Sequence, residues 1–579
     1  MIKRLLAFLL FASLAIASTQ SVQASAYDAH PKLVVVLVID QFRGDYLERY
    51  RAEFKGHGFR LFLDKGAYFT ECYYDYANTK TAPGHATIGT GAYTDGHGIG
   101  SNEWWDVARQ KDRPISSVED PRYTLVGLPD NAGKRTGASP LNLHASTVGD
   151  ELRLATQGQS RVYGISLKDR ASILPAGATA NGAFWIDGAS GRFITSTYYM
   201  QSLPDWAITF NSGTRAQEAL AEAGVSNPKS FYDSVGSTPA ANSYELDFAR
   251  ALIQNEQLGT RETTDLITIS LSANDIMGHA MGPDSAAEKE MVDSLDKDLD
   301  NFFTWLDKTV PGGLPNVWIA LSADHGVAPV PAVAARLGLN AASINLEALV
   351  ESLNAAVNLK FSPGEHIKYL FSQQEFPYLT LNREAFDKAG INEQEAEEAV
   401  KNALPDAFAS VAPPITTTPE PTPPAAVSTT SAAPKRLPPA PSLYRAYSRL
   451  DLESDRLPST DFGRMLAHSY TPNGGWYVMT IPDAYQMAAS TGSLTTHFTP
   501  YSYDRHVPLA FYGAPFTPGL YRDHVEPVDL AVTFASLLGL NQPTAAVGHV
   551  LTHAIHPVVV VPEHATRPRR RTPRGAAKP

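Results

Sequence analysis

Residues 33–40 read LVVVLVID, a run of seven apolar residues that ends in Asp40. Two similar apolar runs occur at residues 266–271 and 317–321, and polar residues follow both of them. Continuous apolar runs of about four to eight residues are typical of strands that are buried on both faces, as in a parallel sheet covered by helices. The sequence therefore predicts an α/β fold in which a mostly parallel central sheet is flanked by helices.

Side chains that can bind a metal follow each of these three runs. In open α/β sheets, ligands bind beyond the carboxyl ends of the strands, so residues far apart in sequence can converge there. Asp275 and His279 are four residues apart, which places both on one face of a helical turn. Taken alone, an Asp after a strand is more often a turn former or a helix N-cap. The combination favours a metal site built from Asp40, Asp275, His279, Asp324, His325 and His497.

The mixed chemistry of these six side chains indicates which metal they would bind. Zinc accepts imidazole nitrogen and carboxylate oxygen at about 2.0 to 2.2 Å. Magnesium and calcium favour shells made only of oxygen. The sequence therefore predicts zinc.

A threonine occupies a position typical of a helix start in the segment NTKTAPGHATIG at residues 78–89. Thr81 is predicted to be the helix N-cap, with Pro83 in the first turn, where the missing N–H of proline costs little. A hydroxyl at a helix N-terminus meets free N–H groups and a partial positive charge, which favour an alkoxide and an incoming phosphate. An ordinary capping threonine is the more common occupant of such a position, and only the company of the metal ligands favours a reactive hydroxyl.

Together, these motifs resemble the alkaline phosphatase superfamily, and within it the PafA-type periplasmic phosphatases with a threonine nucleophile, which are relatives of type I phosphodiesterases and nucleotide pyrophosphatases. The resemblance spans most of residues 33–515 and keeps the family's order of motifs. It implies an alkaline-phosphatase-like core. The matching segments are VID at 38–40, TAPGHA at 81–86, GSN at 100–102, SLKDR at 166–170, Asp275 with His279, SADHG at 322–326 and TTH at 495–497.

The resemblance also implies a mechanism that uses two Zn²⁺ ions per chain. Ions about 4 Å apart would activate the nucleophile and stabilise the leaving oxygen. The hydroxyl of Thr81 would attack phosphorus and form a phosphothreonine that water then hydrolyses, with retention at phosphorus. A broad substrate range and an alkaline optimum are implied as well. The ligands of one zinc ion would be Asp40, Asp324, His325 and the Thr81 hydroxyl, and those of the other Asp275, His279 and His497.

Two cations and one amide match the family's phosphate-binding groups. In an extended segment, Lys168 and Arg170 would point to the same side while Asp169 points away. Two cations beside the metals would complement the charge of a monoester dianion in the transition state. Taken alone, Lys-Asp-Arg is more often a solvated charge cluster, and Asn102 a residue that stabilises a turn. In the family, the corresponding pair distinguishes monoesterases from diesterases, and Asn102 looks like the amide that donates to a phosphoryl oxygen.

Three further residues bear on the site. The family usually has glycine directly after its last histidine ligand, whereas this chain has Phe498, whose bulk would narrow the pocket or shift the loop that holds His497. His506 directly precedes the apolar run at 508–512 and is predicted to be a structural histidine at a strand start. His85, inside the predicted helix, is predicted to pack or to support a ligand rather than to bind metal.

The rest of the chain predicts an exported enzyme with insertions. Residues 1–26 carry Lys3 and Arg4, then an apolar stretch and small residues, which is typical of a signal peptide. No stretch reaches the ~18 to 20 apolar residues of a membrane span, so we expect a periplasmic or secreted protein without stable membrane insertion. The predicted divisions are the signal peptide at 1–26, a catalytic domain at 27–555 and a disordered basic tail at 556–579. The catalytic domain is predicted to include a cap-like insertion at 105–260, a small accessory subdomain at 344–410 and a flexible Pro/Thr/Ala-rich insertion at 411–442.

Composition narrows the range of partners. A net charge of −12 argues against nucleic-acid binding as the main task, because duplex affinity comes mostly from neutralisation of phosphates by a basic surface. Cys72 is the single cysteine, which excludes an intramolecular disulfide. We expect a monomer that acts on small-molecule phosphate esters.

The sequence thus predicts a zinc-dependent phosphomonoesterase, with two alternatives. A nucleotide pyrophosphatase or phosphodiesterase would share the zinc ligands and the threonine but make less use of Lys168 and Arg170. A non-catalytic metal-binding or phosphate-binding protein would keep the fold, although every ligand and nucleophile position carries a competent side chain. A sulfatase is less favoured, because Cys72 and the two tyrosines after it do not fit the Cys/Ser-x-Pro-x-Arg motif of that branch.

Overall fold

An eleven-stranded sheet dominates the computed structural model of the chain, which describes residues 30–106, 108–109, 112–226, 228–411, 441–454, 456–488 and 492–556. The described strands are β1 Leu33–Ile39, β2 Ala67–Tyr73, β3 Glu103–Trp104, β4 Ile115–Ser116, β5 Glu119–Val126, β6 Thr136–Ala138, β7 Val162–Ser166, β8 Gly182–Ile186, β9 Phe193–Ser196, β10 Asp265–Leu271, β11 Val317–Ser322, β12 Ala342–Ser343, β13 Tyr378–Thr380, β14 Leu443–Ser448, β15 Tyr477–Pro482, β16 Gln486–Met487, β17 His506–Tyr512 and β18 Gly519–Val525.

Five parallel strands form the centre of this sheet. The strand order is β18-β2-β17-β11-β1-β10-β7-β8-β9-β5-β6, and β11, β1, β10, β7 and β8 run parallel. Val38 of β1 lies opposite Ser270 on one side and Ser322 on the other, so three neighbouring strands end level. The residues that follow these strands leave the sheet at the same edge. The predicted α/β fold with parallel strands at its centre is confirmed.

Antiparallel strands extend the sheet on both sides of the parallel centre. β17 is antiparallel to both β11 and β2, and β18 then runs parallel to β2. On the other side, β9, β5 and β6 follow β8 in antiparallel pairs. These edges carry polar residues, as in GLYRDHV of β18, which is mostly exposed. The three apolar runs therefore predict β1, β10 and β11 among the central strands, and they do not predict the edge strands.

Several of the described helices flank the sheet and share its hydrophobic core, whereas the helices between residues 346 and 468 pack in other hydrophobic clusters. The described helices are α1 Tyr46–Arg49, α2 Phe59–Lys65, α3 Thr81–Thr90, α4 Thr94–His97, α5 Val148–Ala155, α6 Asp169–Ala176, α7 Asp205–Ser212, α8 Arg215–Glu222, α9 Phe231–Val235, α10 Pro239–Asn255, α11 Ala273–Met281, α12 Ala286–Thr309, α13 Pro331–Arg336, α14 Leu346–Phe361, α15 Arg383–Lys388, α16 Glu393–Ser410, α17 Arg449–Glu453, α18 Asp461–His468, α19 Ser502–Arg505 and α20 Val528–Leu537. Among these described helices, none combines the length and the apolar character that a membrane crossing needs.

The range 105–260, predicted to be a cap-like insertion, is not a separate layer along its whole length. β7 and β8 lie within it and join the central sheet beside β10. Their sequences, VYGIS and GAFWI, are short and contain glycine, so the apolar pattern does not distinguish them from irregular structure. Lys168 follows β7 and therefore leaves the sheet at the same edge as Asp40.

Residues 344–410, predicted to be a small accessory subdomain, contain α14, β13, α15 and α16 in that order. β13 pairs with β15, and β15 pairs with β14, so this small sheet also draws on residues beyond 410. A second hydrophobic cluster, which includes Leu353, Leu379 and Val478, joins these elements. We call residues 344–410 together with β14 and β15 the accessory unit.

Three predicted divisions fall outside the described residues. They are the signal peptide at 1–26, the insertion at 411–442 apart from residues 411, 441 and 442, and the basic tail at 556–579 apart from residue 556.

Candidate active site

Six side chains that can bind a metal gather at the carboxyl edge of the central sheet. Asp40 follows β1 directly, while Asp275 and His279 lie one turn apart on α11, which follows β10. The structure brings all six predicted ligands together in two groups, within each of which the ligand atoms lie less than 4.8 Å apart: Asp40 with Asp324 and His325, and Asp275 with His279 and His497.

The first ligand group consists of Asp40, Asp324 and His325, which are all fully buried. His325 Nε2 lies 3.6 Å from Asp40 Oδ1 and 3.5 Å from Asp324 Oδ2. None of these three atoms has a hydrogen-bond partner among the described residues. Buried polar atoms without a partner are costly, so three that face one another fit a bound cation. One imidazole nitrogen and two carboxylate oxygens are donors that zinc accepts.

The second ligand group consists of Asp275, His279 and His497. Asp275 Oδ1 lies 3.2 Å from His279 Nε2 and 3.9 Å from His497 Nε2. The two groups adjoin, because the rings of His497 and His325 stack with their centroids 3.6 Å apart. Two neighbouring groups of this kind fit a pair of divalent cations held side by side.

Each ligand histidine pairs its Nδ1 nitrogen with a backbone carbonyl and turns Nε2 towards its ligand group. A carbonyl only accepts a hydrogen bond, so Nδ1 carries the proton and Nε2 keeps the lone pair. Such a bond fixes the tautomer and the ring orientation of a metal-binding histidine. The carbonyls belong to Thr495 for His279 (2.8 Å), Gly326 for His325 (2.9 Å) and Thr79 for His497 (2.5 Å).

Lys168 lies between the two ligand groups, with Nζ 2.6 Å from Asp40 Oδ2 and 2.6 Å from Asp275 Oδ2. Burial lowers the pKa of Lys168, but the two carboxylates raise it more, so the ammonium stays charged. Burial raises the pKa of Asp40, and repulsion from Asp275 and Asp324 raises it further. Burial also raises the pKa of Asp275, but Lys168 and His279 outweigh it and hold this pKa well below its usual range. Three buried carboxylates beside one lysine leave negative charge that cations would neutralise.

Two of the three ligand histidines are held in the neutral form that binds a metal. Burial lowers the pKa of His497, and the neighbouring His325 and His279 lower it further. Burial lowers the pKa of His325 by more than Asp324 raises it. His279 differs, because Asp275 outweighs burial and raises its pKa.

Thr81 is the first residue of α3 and not, as predicted, the N-cap. Lys80 is the N-cap, with φ −138° and ψ 162°. The prediction was wrong by one residue because threonine is a common capping residue and lysine is not. The Thr81 side chain still lies at the helix N-terminus, where free N–H groups favour negative charge. α3 starts beside the first ligand group, since a Cβ on Gly84 would stand 2.2 Å from the backbone oxygen of Asp324.

Asn102 lies at the start of the same helix. Its Oδ1 accepts a hydrogen bond from the backbone N–H of Ala82 at 2.8 Å. The neighbouring Ser101 accepts a hydrogen bond from Lys80 Nζ at 2.8 Å, and Lys80 also pairs with Glu375 of the accessory unit at 2.9 Å. The amide of Asn102 is thus fixed next to the residue that follows Thr81 in the chain.

Lys168 and Arg170 do not share the extended segment that was predicted for them. α6 begins at Asp169, so Lys168 is extended at φ −100° and ψ 135° while Arg170 lies in the first helical turn. The guanidinium of Arg170 is 3.6 Å from Asp169, and its Nε has no hydrogen-bond partner among the described residues. Both cations line one cleft of about 340 Å³. Lys168 and Arg170 thus reach the same cleft, as predicted, but because a helix begins between them and not because alternate residues of a strand point the same way.

His85 and His506 lie outside the ligand groups. His85 Nδ1 is 3.3 Å from Asp324 Oδ2, but its proton goes to the carbonyl of Thr81 at 2.8 Å, while Nε2 pairs with Ser270 Oγ at 2.7 Å. His506 begins β17, and its Nε2 pairs with the carbonyl of Thr70 at 2.8 Å. The first supports a ligand residue, and the second is structural.

Phe498 has φ 97°, a backbone conformation that glycine adopts freely and bulky residues rarely do. This explains why a glycine suits the position after the last histidine ligand. The ring of Phe498 lies 4.2 Å from the ring of His497 and 4.6 Å from Lys80 Nζ. His497 nevertheless reaches the second ligand group, so the larger side chain does not move the histidine away.

Sequence reasoning missed Gln41, which touches both ligand groups. Its backbone N–H donates to Asp324 Oδ1 at 3.0 Å, and its side-chain amide donates to Asp275 Oδ1 at 2.7 Å. The signal in the sequence is an amide directly after Asp40, at the end of a fully buried strand. Its contacts depend on segments more than 200 residues away, which the sequence pattern alone does not reveal.

A sequence model of the family described as type I phosphodiesterase / nucleotide pyrophosphatase matches residues 34–450. The chain belongs to this family. It is 32% identical to alkaline phosphatase PhoV of Synechococcus elongatus, over 90% of this chain and 93% of PhoV. It is 31% identical to a Myroides odoratus protein named calcium-transporting ATPase, over 92% of this chain and 96% of that protein. The crystal structure of alkaline phosphatase PafA superimposes with a TM-score of 0.76 at 29% identity, over 91% of this chain and 99% of PafA.

Membership of the family confirms the resemblance drawn from the motifs and the alkaline-phosphatase-like core. The chain is an enzyme, a hydrolase of the alkaline phosphatase and nucleotide pyrophosphatase type, and phosphate esters are its substrate class. Alkaline phosphatases among the relatives imply that it uses divalent metals, for which the two ligand groups are the candidates.

Proposed function

We propose that this hydrolase is a zinc-dependent phosphomonoesterase with Thr81 as its nucleophile. The observation that carries the proposal is the pair of adjoining ligand groups beside the start of α3, with the charge of Lys168 between them. When bound, two zinc ions stabilise the attacking and the leaving oxygen during in-line displacement. One Zn²⁺ would be held by Asp40, Asp324 and His325, and the other by Asp275, His279 and His497.

The hydroxyl of Thr81 would attack phosphorus and displace the ester's alcohol, which gives a phosphothreonine; water would then hydrolyse it to phosphate and restore the threonine. Two in-line displacements in succession retain the configuration at phosphorus. The N-terminus of α3 supports the negative charge that Thr81 gains as it loses its proton. His85 is not placed to take this proton, because both of its ring nitrogens are already in hydrogen bonds.

Lys168, Arg170 and Asn102 would bind the non-bridging oxygens of the phosphoryl group. Two cations match the dianion of a monoester, and charge-assisted hydrogen bonds to them strengthen as charge shifts in the transition state. Asn102 uses its Oδ1 on a backbone N–H, which leaves its NH₂ group to donate to an oxygen. These three side chains would orient the phosphoryl group for attack by Thr81.

A nucleotide pyrophosphatase or phosphodiesterase is the second candidate, because the matching family carries that description. Such an enzyme would use the same ligand groups and the same threonine. A phosphodiester has a single negative charge, however, and gains less from two cations. The buried charge of Lys168, with Arg170 in the same cleft, favours the monoesterase.

Replacement of the nucleophile tests the proposal. Thr81→Ala should lower kcat/KM for p-nitrophenyl phosphate by roughly three orders of magnitude or more, because no covalent intermediate can form. Zinc content should stay close to that of the wild type. Mass spectrometry after an acid quench should find phosphorylated Thr81 in the wild type and no phosphorylation of the corresponding peptide in the variant. Thr81→Ser is the matched control and should give a phosphoserine. Full activity of Thr81→Ala would contradict the assignment.

We also propose that the enzyme is a periplasmic or secreted monomer. Support for export comes from residues 1–26, in which Lys3 and Arg4 precede an apolar stretch. Cell fractionation with mass measurement of the mature protein tests export, and size-exclusion chromatography with light scattering tests the monomer. A full-length protein that stays in the cytoplasm would contradict export.

A further inference from the structure

Gln41 is the residue that connects the two ligand groups. It is 1% exposed and follows Asp40 at the end of β1. Its backbone N–H donates to Asp324 Oδ1 at 3.0 Å, and its Nε2 donates to Asp275 Oδ1 at 2.7 Å. One residue therefore contacts a carboxylate of each group. Asp324 follows β11 and Asp275 follows β10, and these two strands flank β1.

The backbone of Gln41 is in the left-handed region, with φ 64°. This conformation is unfavourable for residues other than glycine and persists where the surroundings determine it. Asp324 Oδ1 accepts from the N–H groups of both Gln41 and His325, which leaves Oδ2 directed at the first ligand group. The turn at Gln41 thus orients one carboxylate with its main chain while its side chain reaches the other.

A gap in helix α11 accommodates the amide of Gln41. A Cβ on Gly278 would stand 2.1 Å from Gln41 Oε1. Glycine in a helix interior is less favourable than alanine, so a glycine between Asp275 and His279 has a packing reason here. That reason is the space that the Gln41 side chain needs in order to reach Asp275.

We propose that Gln41 is a positioning residue that aligns the two ligand groups with each other, and that Gly278 provides the space for its amide. The inference rests on the proposed zinc sites. The side-chain amide holds Asp275 so that its carboxylate faces His279 and His497. Loss of this amide therefore weakens metal binding at the second ligand group, while the main-chain bond to Asp324 preserves the first.

Zinc binding to the metal-free protein tests this role without recourse to activity. Bound zinc per chain is measured against free zinc set by a chelator buffer. Gln41→Ala and Gly278→Ala should each weaken one of two binding steps by about 10-fold to 100-fold, the size of effect known for residues that orient metal ligands, and leave the other step unchanged. Asn358→Ala is the matched control, since it removes a buried amide that bonds the carbonyls of Asn354 and Ile367 in the accessory unit.

Melting temperatures of the same metal-free variants show whether each one is folded. Gly278→Ala improves helix propensity, so a folded protein with weaker zinc binding would tie the loss to the displaced amide. Gln41→Gly removes the amide but suits the left-handed turn, and it should melt at a higher temperature than Gln41→Ala with the same weakened step.

Three outcomes are distinguishable. Unchanged zinc affinity in both Gln41→Ala and Gly278→Ala, with two tight steps in the wild type, would overturn the role of Gln41 and leave the proposed function standing. An equal loss of zinc affinity in Asn358→Ala would also overturn this role, because removal of a buried amide far from the ligand groups would then have the same effect. A wild-type protein that binds no zinc would overturn both proposals.

Discussion

At the scale of single residues, Lys168 places a positive charge where the two ligand groups meet. Its Nζ contacts Asp40 and Asp275 at 2.6 Å each, and the side chain is almost fully buried. A phosphoryl group bound beside the ligand groups would meet this ammonium, and the guanidinium of Arg170 lines the same cleft. The two cations would therefore match the charge of a phosphate ester bound in this cleft.

Removal of both cations should separate monoester from diester hydrolysis. Lys168→Ala with Arg170→Ala should lower kcat/KM for p-nitrophenyl phosphate by about 100-fold or more, because two charge-assisted contacts to the transition state are lost. The value for bis-p-nitrophenyl phosphate should fall far less. Lys308→Ala with Arg336→Ala removes two exposed cations elsewhere and serves as the control. Equal losses on both substrates would contradict the monoesterase rationale.

The candidate ligands could be predicted from their residue types and spacing. The residues that support them could not, because their contacts depend on how distant segments meet in the fold. Asp275 and His279 stand at a helical spacing, and Asp40 ends an apolar run, so both signals are local. For Gln41 the sequence offers only its place directly after Asp40, because its partners come from distant segments. Thr81 was predicted to be the N-cap but is the first residue of the helix, and Lys80 is the N-cap. Capping preferences favour threonine over lysine and therefore gave the wrong residue.

At the scale of elements, α3 is held against the loop that follows β11. Gly84 allows this approach, since a Cβ there would lie 2.2 Å from the backbone oxygen of Asp324 and 2.6 Å from its Cβ. These are backbone and near-backbone atoms that cannot turn away. The close packing fixes Thr81 relative to the first ligand group.

Gly84→Ala should therefore lower both activity and stability, although alanine is the better helix former. The helix has to shift away from Asp324, which would misplace Thr81, the proposed nucleophile, and we expect kcat to fall more than KM rises. Gly213→Ala, whose new Cβ would make only ordinary contacts of 3.4 Å and longer, is the control. Steady-state kinetics and thermal unfolding measure both effects. A Gly84→Ala protein with wild-type kcat would contradict the packing argument.

α18 docks on the core through a histidine that gives a pH dependence. His468 Nδ1 lies 2.8 Å from the carbonyl of Asp75 and 3.2 Å from its carboxylate. Burial lowers the pKa of His468, but the bonds to Asp75 and the charge of Asp95 outweigh it, and the net pKa is raised. A raised pKa stabilises the folded state below the unfolded value of about 6.5 and loses this effect as pH rises through the folded value.

His468→Gln should accordingly cost more thermal stability at about pH 6 than at about pH 9. Thermal unfolding of both proteins across this range measures the difference. His549→Gln, which changes a highly exposed histidine, should show no such trend. A loss in His468→Gln that grows with pH would contradict the sign of the shift.

Elements were predictable where their pattern was apolar and continuous. β1, β10 and β11 are buried along their whole length. β1 and the first five residues of β11 are unbroken apolar runs, and β10 is mainly apolar with Thr268 and Ser270 among its residues. β7 and β8 contain glycine, and β18 is mostly exposed, so nothing in their patterns marks them as strands of the same sheet. Pairing partners and packing, which the local pattern does not contain, place these strands.

At the scale of the whole molecule, the accessory unit has its own hydrophobic cluster and still reaches the site. Glu375 pairs with Lys80 at 2.9 Å, and Lys80 directly precedes Thr81. Phe498 packs against the accessory cluster and lies 4.2 Å from His497. The surroundings of Thr81 therefore depend on both parts of the described chain.

The most direct test of the central claim is zinc titration of the metal-free enzyme while kcat/KM is followed on p-nitrophenyl phosphate and bis-p-nitrophenyl phosphate. We predict negligible turnover without metal, activity that rises with zinc and saturates at two ions per chain, and a strong preference for the monoester. Full activity of the metal-free protein would contradict the metal mechanism, and a preference for the diester would contradict the phosphomonoesterase.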